Sequence, residues 1–306
     1  MCAYHQGWAD ADGTPAVADG GKMLRATLAL WSGRAGGAPV ADAVAAAAAV
    51  ELVHAFSLVH DDVMDADLER RHRPTTWAVY GLPLAVLAGD ALLTAALSTV
   101  AAAPGGQGAT GLRRLAADVQ RLIAGQRADL AFENREQVSV AESLAMMSQK
   151  TGALLGSACA LGAELGGSPP ALVSALAWCG EQLGIVFQIV DDILGIWGDP
   201  AVTGKPVYAD LVARKKSYPV VLALAAAGPA AGELRRRYGR PPDRSDGSAA
   251  TELAGLVEAA GGLTGARSAI DLRLAEVSRT MSALDISDSS RKEFTQLAGY
   301  VAHRHR

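Results

Sequence analysis

Apolar residues recur along this chain with the period of a helix, in long stretches closed by Gly and Pro. Residues 41–67 contain neither Gly nor Pro and predict one long helix. Segments 82–103, 112–134, 140–165 and 171–197 predict four more; the run Gly166-Gly167-Ser168-Pro169-Pro170 separates the last two. Shorter helices are predicted over 217–227, 251–261, 264–284 and 287–303. Residues 71–76, with Pro74, and 198–205, with Pro200 and Gly204, read as loops. Residues 228–248 are rich in Gly, Pro, Arg and Ser and read as a mobile loop. No two-residue hairpin signal and no repeat of fixed period is evident. No segment has linker composition, so residues 1–306 predict a single domain.

Composition sharpens this picture. Half of the 306 residues are hydrophobic and a fifth are charged, which excludes disorder. Aromatic residues are only 5% while alanine is abundant, a balance that favours helix over strand and predicts an all-α protein. The 28 basic and 32 acidic residues give a net charge of −4, so no basic excess suggests a nucleic-acid partner. The three cysteines, Cys2, Cys159 and Cys179, show no CxxC spacing, which fits a reducing cytoplasm. Cys159 and Cys179 are expected to be small buried hydrophobes, and Met146 and Met147 core or dimer packing. The N-terminus lacks the basic and apolar regions of a signal peptide. The apolar stretches, such as 91–103, are interrupted by Thr and Ser and are expected to fall short of the roughly 18–20 residues that span a bilayer. The expectation is a cytoplasmic protein with no transmembrane segment.

Two acidic clusters carry the chemistry. Asp61, Asp62 and Asp65 form DDxxD at the end of an apolar run. Positions i and i+4 share a helix face, so Asp61 and Asp65 lie one turn apart and repel unless a cation sits between them. Oxygen-only ligands suit Mg²⁺, which commonly bridges carboxylates to phosphate. Arg70 and Arg71 follow within reach of the same anionic ligand. Asp191 and Asp192 form a second acidic pair in a second apolar helix, followed by the loop lysine Lys205. Two carboxylate clusters with Lys and Arg around them make a cage for a diphosphate with several Mg²⁺ ions. Such a cage assists heterolysis of a carbon–oxygen bond to an allylic cation.

In these motifs, from Gly20-Gly21-Lys22 to about Pro219, the chain resembles the trans-isoprenyl diphosphate synthases of the polyprenyl synthetase family, the geranylgeranyl diphosphate synthases in particular. The resemblance implies an all-α, single-domain bundle of antiparallel helices around a deep central cavity, usually as a homodimer. It implies a prenyltransferase of isoprenoid and terpenoid biosynthesis that condenses isopentenyl diphosphate head-to-tail with an allylic diphosphate, using three Mg²⁺ ions per site. Lys22, Arg25 and His54 match positions that grip isopentenyl diphosphate, and Arg70 and Arg71 match the paired arginines, one for each diphosphate. Gly125, Gln126 and Asp129 match the GQxxD signature. Lys150 and Thr151 match the pair that contacts the allylic diphosphate. Gln188, Asp191 and Asp192 match the second aspartate-rich motif, and Lys205 and Lys215 match two diphosphate-binding lysines. The implied catalytic set is Asp61, Asp65, Lys150, Gln188, Asp191 and Lys205, with Asp61, Asp62, Asp65, Asp191 and Asp192 as metal ligands.

The main departure is Gly195, which stands where the second motif usually ends in Asp. If the helix continued, Asp199 would share a face with Asp191, although Gly198 and Pro200 oppose that. The run DDxxGxxxD also resembles loosely the metal triad of class I terpene cyclases, so cyclisation of a prenyl diphosphate is a second reading. A non-catalytic subunit of a heteromeric synthase is a third. Product length in this family is commonly set below the first motif. Phe56 and Ser57 lie roughly 6–7.5 Å below Asp61 at a helical rise of about 1.5 Å per residue. Phe56 would be the floor and Ser57 the open space; the resemblance to family members with this aromatic-then-small pattern and no insertion in DDxxD implies a C20 product, with C15 next.

Overall fold

A computed structural model describes residues 1–17, 23–200, 207–239 and 247–303. It is helical almost throughout, as the alanine-rich composition predicts. The chain forms two compact units, Met1–Val119 with Leu154–Gly180, and Gln120–Ala153 with Glu181–Arg306. The chain passes between the units within helices rather than through linkers, since residues 119–120 fall inside Gly108–Glu133 and residues 180–181 inside Pro170–Trp197.

The first unit contains α1 (Cys2–His5), α2 (Leu24–Ala35), α3 (Val40–Met64), the strands β1 (Glu69–Arg70) and β2 (Arg73–Pro74), α4 (Thr76–Tyr80) and α5 (Leu82–Ala101). It also holds the start of α6 (Gly108–Glu133), nearly all of α8 (Ala153–Leu165) and the start of α9 (Pro170–Trp197). Its core is the face that α3 shares with α2 and α5, where Ala46, Val50, Val53 and Val59 are buried with Leu28, Ala88 and Leu92. Burying each such valine or leucine fully contributes about 1.5–3 kcal/mol. Small residues set how closely these helices approach. A Cβ on Gly162 would stand 1.9 Å from the Ala29 carbonyl oxygen, so only glycine fits there. Helix α2 was not predicted: the region reads as a motif rather than a helix, because apolar residues cover most of its surface and Leu28, Ala29 and Trp31 are all buried.

The second unit contains the rest of α6, α7 (Val140–Met147), a π-turn (Ser148–Gly152), the rest of α9, and α10 (Ala209–Val212), α11 (Tyr218–Ala225), α12 (Pro229–Tyr238), α13 (Gly247–Ala259), α14 (Gly262–Ala283) and α15 (Asp288–Ala302). Ile196, Leu211, Val220, Leu234, Tyr238, Leu253 and Val257 form its core cluster. The single helix predicted over 140–165 is instead α7, the π-turn and α8. A capping box starts it: Ser139 Oγ accepts from the Glu142 N–H while Glu142 accepts from the Ser139 N–H.

The structure corrects three further expectations. The segment 71–76 is not simply a loop, and 228–248 is not a mobile loop over its described part. Helix α12 begins at Pro229, where the ring's fixed φ suits the first turn, and Arg236 and Arg237 pair with Glu233 on the same helix. Three helices, Val40–Met64, Leu82–Ala101 and Pro170–Trp197, are in fact long and apolar enough to cross a membrane. The interrupting Thr and Ser barely lower the hydropathy of these alanine-rich windows. Burial inside the fold takes 50%, 33% and 56% of those windows, and length and composition alone are not evidence of insertion. Cys159, Cys179, Met146 and Met147 are buried as expected.

Candidate active site

The last turn of α3 carries the first acidic motif. The Asp65 N–H donates to the Asp61 carbonyl at 2.8 Å, so the helical turn that aligns their side chains is intact. Asp65 is exposed and Asp61 half-buried. The turn holds no basic residue, and a helix C-terminus itself bears partial negative charge. Two carboxylates there are disfavoured until a cation joins them, which is the donor chemistry Mg²⁺ requires. Among the described residues no three His, Cys, Asp or Glu side chains cluster closely enough to hold a metal unaided.

Asp62 points the other way. It is buried, and its Oδ1 accepts from Arg70 Nε at 2.6 Å. Burial pushes its carboxyl above the ordinary range, and the Arg70 charge opposes that shift. Asp192 behaves likewise in the second unit. It is buried, accepts from the Tyr218 N–H at 2.7 Å and from Gln188 Nε2 at 3.0 Å, and is pushed up to about 7 by burial. Tyr218 opens α11, so Asp192 supplies an acceptor to a helix N-terminus that has no cap of its own. Asp62 and Asp192 are thus anchors for other site elements. Of the other expected metal ligands, Asp61 is half-buried and Asp65 exposed on α3, and Asp191 is exposed on α9.

Arg70 and Arg71 sit on a two-residue hairpin in which Glu69 pairs with Pro74 and Arg70 with Arg73. Its central residues, Arg71 and His72, have φ of 51° and 60°. Left-handed residues other than Gly or Asn each cost roughly 1–2 kcal/mol, so such strain marks a candidate functional turn. Sequence reasoning missed the hairpin because no Gly or Asn occupies the turn. His54, on α3, is held neutral well below its ordinary pKa by burial and by the charges of Arg25 and Arg71. Arg25 stands in the first turn of α2, whose Ala26 N–H donates to Glu51 Oε1 at 2.9 Å. Arg25, His54, Arg70 and Arg71 thus lie in one electrostatic neighbourhood. Lys22 lies outside the described residues.

In the second unit, Lys150 and Thr151 sit on the π-turn, a rare form often found at functional sites. Lys150 Nζ donates to Asp129 Oδ2 at 2.5 Å. A Cβ on Gly125 would stand 2.3 Å from the Lys150 backbone nitrogen, so this glycine lets α6 press against the π-turn. Thr151 Oγ1 donates to Gln188 Oε1 at 2.8 Å, which extends the chain through Gln188 to Asp192 and Tyr218. Tyr238 Oη donates to the Lys215 carbonyl at 2.7 Å and fixes the backbone that carries Lys215. Lys205 lies outside the described residues.

The missing carboxylate of the second motif has a structural counterpart that the sequence did not disclose. A Cβ on Gly195 would stand 2.3 Å from Asp210 Oδ2, so the Asp210 carboxylate occupies the space of a side chain at position 195. Helix α9 ends at Trp197, and Asp199 lies beyond it. Phe56 is buried, with its ring edge-on to His60 at 4.9 Å between centroids, and Ser57 Oγ donates to the His54 carbonyl at 2.8 Å.

Comparison with known proteins identifies the family. The model of the polyprenyl synthetase family matches residues 10–253. A geranylgeranyl diphosphate synthase of Mycobacterium tuberculosis is 44% identical over 263 residues, covering 86% of this chain and 75% of that protein. A (2E,6E)-farnesyl diphosphate synthase of the same species is 39% identical over 309 aligned positions, covering 99% of this chain and 85% of that protein. The crystal structure of a polyprenyl synthetase from Streptomyces coelicolor A3(2) matches with a TM-score of 0.93 at 43% identity, covering 98% of this chain and 90% of that one. This chain therefore belongs to the polyprenyl synthetase family and is a short-chain prenyl diphosphate synthase.

Proposed function

We propose that this enzyme condenses isopentenyl diphosphate with an allylic diphosphate to make the C20 product geranylgeranyl diphosphate, with the C15 product as the runner-up. The neighbourhood of Arg25, His54 and Arg71 carries the reading. A cyclase ionises one prenyl diphosphate and has no use for a second diphosphate site, and a non-catalytic subunit has no use for a strained arginine turn. Phe56 and Ser57 carry the choice of length. Ser57 is small and lies on the face of Asp61 one turn below it, while Phe56 is bulky and buried beside it.

In this reading Asp61, Asp65 and Asp191 hold the metal, three Mg²⁺ ions per site, in line with the magnesium dependence of the family. When bound, Mg²⁺ neutralises the diphosphate that leaves the allylic carbon. Arg70, Lys150, Thr151, Lys205 and Lys215 grip that diphosphate. Lys22, Arg25, His54 and Arg71 orient isopentenyl diphosphate for attack. Asp62 orients Arg70, and Gln188 and Asp192 orient Thr151. The chain acts as one catalytic domain, as a homodimer, in the cytoplasm.

The test of length is a primer series. The purified protein is given isopentenyl diphosphate, Mg²⁺ and either dimethylallyl, geranyl or farnesyl diphosphate, and the dephosphorylated alcohols are weighed by mass spectrometry. A C20 alcohol from all three supports the reading. Products that stop at C15, with farnesyl diphosphate left unextended, would favour the runner-up.

A further inference from the structure

The N-terminal segment, which the sequence left without a role, is built onto the arginine hairpin. Tyr4 Oη donates to the Pro74 carbonyl at 2.8 Å, and the Arg73 guanidinium lies 4.5 Å over the Tyr4 ring. Arg73 also donates to the Ala9 carbonyl at 3.3 Å and pairs with Asp10 at 3.4 Å. Tyr80 Oη donates to the Ala11 carbonyl at 3.0 Å. These bonds fix α1, and with it His5, against the hairpin. His5 lines a cavity of about 80 Å³ together with Asp62, Arg70, Arg71 and Thr75. That volume suits one phosphate group rather than a prenyl tail.

We propose that His5 belongs to the isopentenyl diphosphate site and donates a ring N–H to the diphosphate that Arg71 holds. The proposal rests on the function proposed above. Burial, then Arg70 and Arg71, lower the His5 pKa to about 4, so the ring is neutral at physiological pH and keeps one N–H donor. A proton on His5 would be felt at His54, which places the ring in the same neighbourhood as Arg25 and Arg71. Positive potential from two guanidinium groups keeps the half-buried imidazole unprotonated. An anion held between those groups offers the acceptor for its N–H.

Binding of isopentenyl diphosphate to the full chain is measured by calorimetry, with steady-state kinetics alongside. A hydrogen bond to a charged group predicts a loss of about ten-fold or more in affinity for His5→Ala. KM for isopentenyl diphosphate should rise similarly while KM for the allylic substrate holds. His5→Gln, which keeps an N–H donor, should recover part of the loss. Unchanged affinity in His5→Ala, with Arg71→Gln strongly impaired, overturns the role of His5 alone. A rise confined to the allylic KM overturns its assignment to isopentenyl diphosphate. A wild-type protein that binds no isopentenyl diphosphate overturns the underlying function instead. Should His5→Ala fail to fold, the wild type decides: the His5 ring resonance, assigned by its absence in His5→Gln, shifts on adding isopentenyl diphosphate if the proposal holds. An unmoved resonance overturns it.

Discussion

Arg70 Nε donates to Asp62 Oδ1 across 2.6 Å, and this bond ties the arginine hairpin to the last turn of α3. One aspartate of the first motif therefore holds the arginine. Asp62→Ala leaves a partly buried guanidinium unpaired. Breaking a buried pair costs up to 3–5 kcal/mol, and the partial exposure of Arg70 reduces this to about 1–3 kcal/mol. Urea unfolding should show that loss, and the allylic KM should rise with it. Asp62→Asn, which retains an acceptor oxygen, should be milder in both.

Asp61→Ala and Asp65→Ala should behave in the opposite way. Each removes one of two like charges held at a helix C-terminus, so the metal-free protein keeps its melting temperature or gains slightly. Turnover should fall by orders of magnitude and should not be restored by excess Mg²⁺. Unfolding of either variant would make these carboxylates structural.

Gly195→Ala should destabilise the protein, by about 1–3 kcal/mol on the scale of overpacking, because the new Cβ meets the Asp210 carboxylate at 2.3 Å. Gly195→Asp restores the usual form of the motif and should nevertheless lower both stability and turnover. Thermal melts and initial rates check both. A Gly195→Asp enzyme as stable and active as wild type would show that Asp210 has no claim on that space.

The Glu142 carboxyl is held at about 2, chiefly by its hydrogen bond from Arg135 and also by Ser139. Its ordinary value is 4.5, so the bonds contribute stability above that pH, lost as pH falls towards 2. Glu142→Gln should show a shallower decline in melting temperature between about pH 5 and about pH 2 than wild type does. Equal slopes would mean that the capping box contributes nothing measurable.

Phe56→Ala should lengthen the product beyond that of the wild type. It should also cost about 3–5 kcal/mol, the usual price of such a cavity, so the product is read at low temperature where the variant stays folded. An unchanged product distribution would limit Phe56 to core packing beside His60.

Much of the fold was legible from the chain alone, because the long helices are alanine-rich, periodic and separated by Gly and Pro clusters. Helix α2 was missed because it is covered on most sides and shows little polar contrast. Helix α12 was hidden by Arg, Gly and Pro, yet its Glu233 pairs carry it. The hairpin and the π-turn have no local signature in this sequence. The split within each aspartate pair was legible in principle. Ala55, Val59 and Asp62 follow i, i+4, i+7, as do Ile185, Ile189 and Asp192, with Ile196 one turn on. All seven are buried, so the second aspartate of each pair belongs to the core stripe and the first to the open face. The carboxylate of Asp210 could not be found that way, since its meeting with Gly195 depends on how α10 folds back onto α9.

The most direct measurement of the central claim is whether product formation requires isopentenyl diphosphate. The enzyme is incubated with geranyl diphosphate and Mg²⁺, with and without isopentenyl diphosphate, and with a chelator as a third arm. A longer prenyl alcohol that appears only when both isopentenyl diphosphate and Mg²⁺ are present is the predicted result. A cyclic hydrocarbon formed without isopentenyl diphosphate would contradict it.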